Sequence, residues 1–168
     1  IQQRRACYFN SKKMTSSIVL VTGGFDPLHS GHIAYFKSAK AIAPLSPLAV
    51  GLNSDQWLSN KKGKPFMPLE ERISIVRELK MIDVVIEYDD SDGTSNCAIE
   101  QLLEIYDKVI FANGGDRHNE NVPEYEKFKD NPNVIFRWAV GGLNKKNSSS
   151  WILNEWDNNC LLYTSPSP

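Results

Sequence analysis

The chain has 168 residues, with 19 basic against 20 acidic side chains and a formal net charge of -1. That length supports one domain with a proper core and is short for two, and the near-neutral balance supplies no global field to gather nucleic acid or an anionic membrane, so an anion site has to be local. Cys7, Cys97 and Cys160 are an odd, scattered set without a CxxC pair, which argues against a disulfide framework and a zinc site and suits a reducing compartment.

The opening "IQQRRACYFNSKK" lacks the apolar segment of a secretory signal, and no run approaches the roughly 20 apolar residues of a membrane span. The expectation is a cytoplasmic protein with a disordered extension over residues 1–13. From Met14 the pattern alternates between short β-branched or apolar runs and longer stretches of helical period. In chain order it predicts a strand at Ile18 to Thr22, a helix from His32 to Ala43, a strand at Leu48 to Leu52 and a short turn near Asp55. A helix follows from Pro68 to Leu79, where proline suits a first turn, Glu70 and Glu71 suit the positive end of the dipole, and Leu69, Ile73, Val76 and Leu79 form a core stripe. Next come a strand at Val84 to Tyr88, a helix from Asn96 to Tyr106, a strand at Lys108 to Ala112 and a turn near Pro123. A strand at Val134 to Ala139 and a helix from Ser148 to Asn154 complete the domain, expected over residues 14–157. The Ser- and Pro-rich end predicts a disordered tail over 158–168.

Strands separated by helices imply an α/β fold: a Rossmann-like, three-layer α/β/α sandwich around a five-stranded, mostly parallel sheet, with right-handed crossovers. Ligands of such sheets bind beyond the carboxyl ends of the strands.

The segment "VTGGFDPLHSGH" lies at such an end. Gly23 and Gly24 allow a phosphate to approach the backbone, the free amides of the next helix point back at the strand end, and His29 and His32 flank that helix start. Two histidines around a glycine at a strand-to-helix junction point to an anion site more than to ordinary loop polarity. The residues after this segment offer no nucleophile arrangement of Ser, Cys or Lys, so no covalent enzyme intermediate is expected.

"GGFDPLHSGH" resembles the HxGH motif of the cytidylyltransferase-like nucleotidyltransferases. Three later segments resemble that family in order: "GLNSDQWLSNKKGKPFMPLEER", "NGGDR" and "NKKNSSSWI". Together they cover roughly residues 16 to 155.

The resemblance implies that a phosphorylated acceptor attacks the α-phosphate of a nucleoside triphosphate, ATP or CTP, and that pyrophosphate leaves. It casts His29 and His32 as catalytic clamps on phosphate oxygens, with Lys61 as the catalytic lysine that contacts substrate phosphates. Gly23, Gly24, Phe25, Asp26, Gly31, Gly115, Asp116, Asn147, Ser148, Ser149 and Ser150 become the nucleotide-binding set. Lys61, Arg72 and Arg117 become the substrate-binding set.

Magnesium is expected to arrive with the triphosphate, touched indirectly by Asp26 and Asp116, although Asp26 equally suits capping of its turn. Likewise Arg72 has the alternative of a solvated helix face, and the serines cap a helix in either reading.

Sequence departures guide the acceptor. Leu143 stands where the cytidylyltransferase branch has arginine, Leu153 where the pantetheine-phosphate and nicotinamide-mononucleotide branches have a basic residue, and Asn113 where heptose adenylyltransferases have lysine. NSD, KG and GGD are shared with the heptose branch, which favours a sugar- or polyol-phosphate. The other readings are a catalytically silent nucleotide-binding regulatory module and an adenylyltransferase of the pantetheine-phosphate or nicotinamide-mononucleotide type. A fragment related to class I aminoacyl-tRNA synthetases is disfavoured because no KMSKS-like loop is present. The expected partners are thus a triphosphate and a small phosphorylated acceptor, with no nucleic acid and no membrane; a homodimer is left open.

Overall fold

Ile18, Val19, Leu20 and Val21 are wholly buried, the situation of a strand covered on both faces by helices. The computed structural model describes residues 14–115, 117–142 and 148–163. Its elements are β1 (Met14–Gly23), α1 (Ser30–Ile42), β2 (Leu48–Leu52), α2 (Asp55–Lys62), α3 (Leu69–Arg77), β3 (Val84–Glu87), α4 (Asn96–Leu103), β4 (Tyr106–Gly114), α5 (Pro123–Phe128), β5 (Val134–Val140) and α6 (Ser149–Tyr163). The strands form one sheet in the order β3-β2-β1-β4-β5, and all four ladders are parallel.

Side-chain alternation along β1 divides the core. Ile18 and Leu20 join Val109 and Phe111 of β4, Ala98, Ile99 and Leu102 of α4, and Phe128 of α5 on one face. Val19 and Val21 join Val50, Phe36 and Ala39 of α1, and Ile73 and Val76 of α3 on the other. This is the expected three-layer α/β/α sandwich.

The chain places β2 on one side of β1 and β4 on the other, so the strand order reverses beside β1. Such a switch point opens a crevice at the carboxyl ends of the strands. The registers bring Gly23 level with Leu52, and Leu52 level with Glu87, at that edge.

The elements differ from expectation mainly at their ends. The turn near Asp55 is a full helix, α2, capped by the Ser54 hydroxyl accepting from the Trp57 amide at 3.0 Å. Helix α4 ends at Leu103 rather than Tyr106, because Tyr106 already begins β4 and pairs with Met14. Helix α6 runs to Tyr163, well past Asn154 and past residue 158, where a tail was expected. Residues 1–13, the expected extension, and 164–168 lie outside the described residues. No described helix is long and apolar enough to cross a membrane.

Candidate active site at the carboxyl edge of the sheet

The turn after β1 is built around aromatic packing. Phe25 is buried with φ at +49°, a left-handed conformation that costs a non-glycine residue about 1–3 kcal/mol and marks an over-determined turn. Its ring packs edge-on against His32 at 5.0 Å and Phe36 at 4.9 Å. The flanking glycines answer to the same packing. A Cβ on Gly23 would stand 2.9 Å from the Phe25 ring, and one on Gly24 2.7 Å from a Leu58 methyl. The need for glycine there is met inside the protein, before any phosphate is considered.

His29 is the N-cap of α1. Its Nδ1 accepts from the Gly31 amide at 3.1 Å, while the His29 amide donates to Nδ1 of His32 at 3.3 Å. This reciprocal arrangement is a capping box with histidines in both side-chain roles. The rings stack at 3.7 Å between centroids. Because each Nδ1 is an acceptor, a neutral ring carries its proton on Nε2, so both imidazoles are donors at Nε2. Burial, and then the neighbouring His29, lower the His32 pKa to about 3. His32 is therefore neutral near pH 7 and acts through a hydrogen bond rather than a charge.

Asp26 is buried and turned into the protein. Its carboxylate accepts from the Phe66 and Met67 amides at 2.6 and 2.7 Å and pairs with Lys62 at 2.7 Å; Lys62 also reaches the Asp26 carbonyl. These contacts fit the alternative reading of Asp26 as a residue that secures its turn: both oxygens hold the segment between α2 and α3 against the turn after β1.

Arg72 requires a correction. It is 1% exposed, neither on a solvated helix face nor presented to a phosphate. Its guanidinium donates to the carbonyls of Met67, Gly24 and Asn53 at 3.0, 2.9 and 2.8 Å and to the Asp55 carboxylate at 2.7 Å. One side chain thus ties the ends of β1 and β2 to the starts of α2 and α3.

The other candidates divide by position. Lys61 lies over the Trp57 ring, 4.6 Å from its centroid, and lines a cleft of about 590 Å3 with Trp57, Gln56, Asp90 and Ser91. Gly31 is in the first turn of α1, and its amide is the His29 partner. Gly115, with φ at +66°, turns the chain out of β4. Ser148 is buried, with its carbonyl accepting from the Ile152 amide. The Ser149 hydroxyl donates to the Pro27 carbonyl at 2.9 Å, across 122 residues, and brings the start of α6 to the histidine turn. Ser150 is exposed in the first turn of α6. Arg117 lines a smaller cavity with Thr22, Asn53, Ser95 and Glu124. Asp116 and Asn147 lie outside the described residues.

A buried polar network at this edge was missed from sequence. Asn53 donates to the Tyr88 hydroxyl and the Asp90 carboxylate, at 2.9 and 3.1 Å, and Asp90 also accepts from the Ser54 amide and hydroxyl. The Ser95 hydroxyl bridges Tyr88 and Thr22, and its amide donates to Glu124 at 2.6 Å. Burial pushes the Tyr88 phenol up to about 12, which keeps it a neutral hydrogen-bonding group. Two signals were available: "NSD" at the end of β2, and the polar run "YDDSDGTSN" directly after an apolar strand.

The fold, the histidine turn and the start of α6 meet at one sheet edge, as the ordered motifs require. The family model for cytidylyltransferase-like proteins matches residues 20–150. The chain belongs to the cytidylyltransferase-like family. Among similar proteins, the bifunctional protein HldE of Hahella chejuensis is 32% identical over 128 residues, covering 75% of this chain and 25% of that protein. HldE of Citrobacter koseri is 29% identical over 135 residues, covering 79% and 25%. The chain thus spans about a quarter of the length of these curated relatives. The crystal structure of a lipopolysaccharide core biosynthesis protein from Thermoplasma volcanium superposes with a TM-score of 0.59 at 26% identity, covering 77% of this chain and 98% of that one. Family membership makes this cytidylyltransferase-like chain a nucleotidyltransferase domain.

Proposed function

We propose that the protein transfers a nucleoside monophosphate from ATP or CTP to a small sugar- or polyol-phosphate and releases pyrophosphate. An acceptor phosphate oxygen forms the new bond to the α-phosphorus as the bond from that phosphorus to the bridging oxygen breaks, and the electron pair leaves with pyrophosphate. Such a transfer needs alignment and charge stabilisation more than a protein nucleophile.

The observation that carries the reading is the stacked His29 and His32 pair, with both Nδ1 atoms held by backbone amides at the start of α1. Their Nε2 donors are fixed before substrate arrives, so hydrogen bonds to developing phosphate charge need no reorganisation at the moment of reaction. Lys61 adds a positive charge from the cleft beside Trp57.

Magnesium enters as part of the nucleotide substrate. Among the described residues no group of three or more His, Cys, Asp or Glu side chains could hold a metal ion, and Asp26 is engaged by protein donors. The metal's contribution is to offset triphosphate charge; alignment rests with the chain's own donors.

The test is a pyrophosphate-release screen that crosses ATP and CTP with glycerol-3-phosphate, heptose-1-phosphate and other small phosphates. Turnover with at least one pair is expected. Binding of nucleotide without turnover of any pair would assign the chain to regulation by nucleotide binding instead.

A further inference from the structure

Glu124 is 5% exposed, yet among the described residues the Ser95 amide is the sole hydrogen-bond donor to its carboxylate. A buried carboxylate is costly unless its oxygens are satisfied. The amide contacts Oε1 at 2.6 Å, which leaves Oε2 for another donor. Glu124 lines a cavity of about 110 Å3 together with Thr22, Asn53, Ser95 and Arg117. Arg117 forms no ion pair with it among the described residues, so the cavity is not simply closed by a salt bridge.

We propose that Glu124 is a specificity-determining residue for the acceptor, its carboxylate accepting a hydrogen bond from a hydroxyl group of a polyhydroxylated phosphate ester. The inference rests on the transferase reading above and narrows its substrate class. Position supports it first: Thr22 directly precedes the Gly23-Gly24 turn, so the cavity opens beside the strand end that leads to the histidines. Trp57 and Gly93 are shared with the larger cleft that contains Lys61, so an acceptor can lie with its phosphate toward Lys61 and a hydroxyl toward Glu124.

Chemistry then selects a hydroxyl over an ammonium group. The Thr22 hydroxyl accepts from Ser95 and keeps its proton to donate, while Asn53 Oδ1 is an acceptor, which matches a group that both donates and accepts. The guanidinium of Arg117 at the same cavity repels a cation. The second carboxylate oxygen faces the cavity that Glu124 lines, so an acceptor with the hydroxyl gains a charge-assisted hydrogen bond that an acceptor without it forgoes.

The experiment compares the wild type with Glu124→Gln. Glutamine keeps a carbonyl oxygen for the Ser95 amide but turns an NH2 group toward the cavity. Pyrophosphate release is measured against glycerol-3-phosphate, heptose-1-phosphate, a deoxy analogue of the accepted ester and ethanolamine phosphate. The expected result is an acceptor KM raised about tenfold or more, with the nucleotide KM within about twofold and the preference over the deoxy analogue lost.

Calorimetric titration of the same two hydroxylated esters without nucleotide provides a readout independent of turnover. A Glu124-dependent loss of binding with no pyrophosphate release from any pair would sink the transferase reading and the acceptor role with it, and keep only the contact between Glu124 and the ester hydroxyl. Unchanged acceptor KM and unchanged binding in Glu124→Gln, or a wild-type preference for ethanolamine phosphate, would overturn this inference and leave the transferase standing. If Glu124→Gln does not fold, Thr22→Val, which removes a hydroxyl from the same cavity, is held to the same criteria.

Discussion

His29 and His32 hold each other in place: the amide of the first donates to the ring of the second, and the two rings stack at 3.7 Å. The pair is therefore one unit in which each neutral ring carries its proton on Nε2. Substituting either residue removes a donor and also disturbs a helix cap, so kinetic and stability effects have to be measured together.

His32→Ala is expected to lower kcat by about 100-fold or more while raising KM less, as for a donor whose hydrogen bond strengthens in the transition state. His29→Ala should behave similarly, with an added loss of about 1 kcal/mol in stability from the N-cap. Steady-state kinetics on an active substrate pair, alongside denaturant unfolding, checks both. Wild-type turnover in the double alanine variant would refute the clamp.

The His32 environment sets a pH dependence of stability. Its folded pKa of about 3 lies below the ordinary value of 6.5, so the unfolded chain binds a proton at higher pH than the folded one. The contribution is present above about 6.5 and is lost as pH falls toward about 3. Unfolding free energy of the wild type should therefore drop more steeply over that window than that of His32→Gln. Ring titration by NMR should find His32 neutral, with the proton on Nε2, at pH 6.

Arg72→Met should be destabilising by about 3 kcal/mol or more, since it removes the guanidinium that serves three carbonyls and leaves the Asp55 carboxylate with the Leu69 amide but no cation. Chemical denaturation reads the loss directly. A phosphate ligand would behave differently, with stability near wild type and a raised substrate KM.

Arg72 also shows where sequence reading stops. The HxGH turn was legible because glycine, histidine and a strand end are adjacent in the chain, and the central strands were legible from short runs of β-branched or other apolar residues. Arg72 has no such local signal: helix-face patterns assign arginine to solvent, whereas here the carbonyls of Gly24, Asn53 and Met67 converge on it only after folding. Glu124 was obscured likewise, because its partner Ser95 is 29 residues away. The length of α6 was underestimated because Asn154, Asp157, Asn158 and Asn159 are weak helix formers.

The two lysines at the end of α2 should separate by readout. Lys62 is bound to the buried Asp26, so Lys62→Ala should cost about 2 kcal/mol in stability. Lys61 lines the cleft beside Trp57, so Lys61→Ala should leave stability within about 0.5 kcal/mol and raise a substrate KM. Equal small effects of both on binding would return Lys61 to an ordinary solvated side chain.

Turnover should require a divalent cation supplied with the nucleotide. Neutral His32 contributes no charge, and Lys61 alone cannot balance the several negative charges of a triphosphate. Chelator-treated protein is expected to lose about 100-fold or more of its activity with an active substrate pair, and added magnesium should restore it. Because Asp26 is held by two amides and Lys62, calorimetry of magnesium with the free protein should detect little binding, and Asp26→Asn should reduce stability more than it shifts the magnesium dependence. A full rate in metal-free buffer would mean that the chain's own donors suffice, and the magnesium nucleotide would no longer be the substrate.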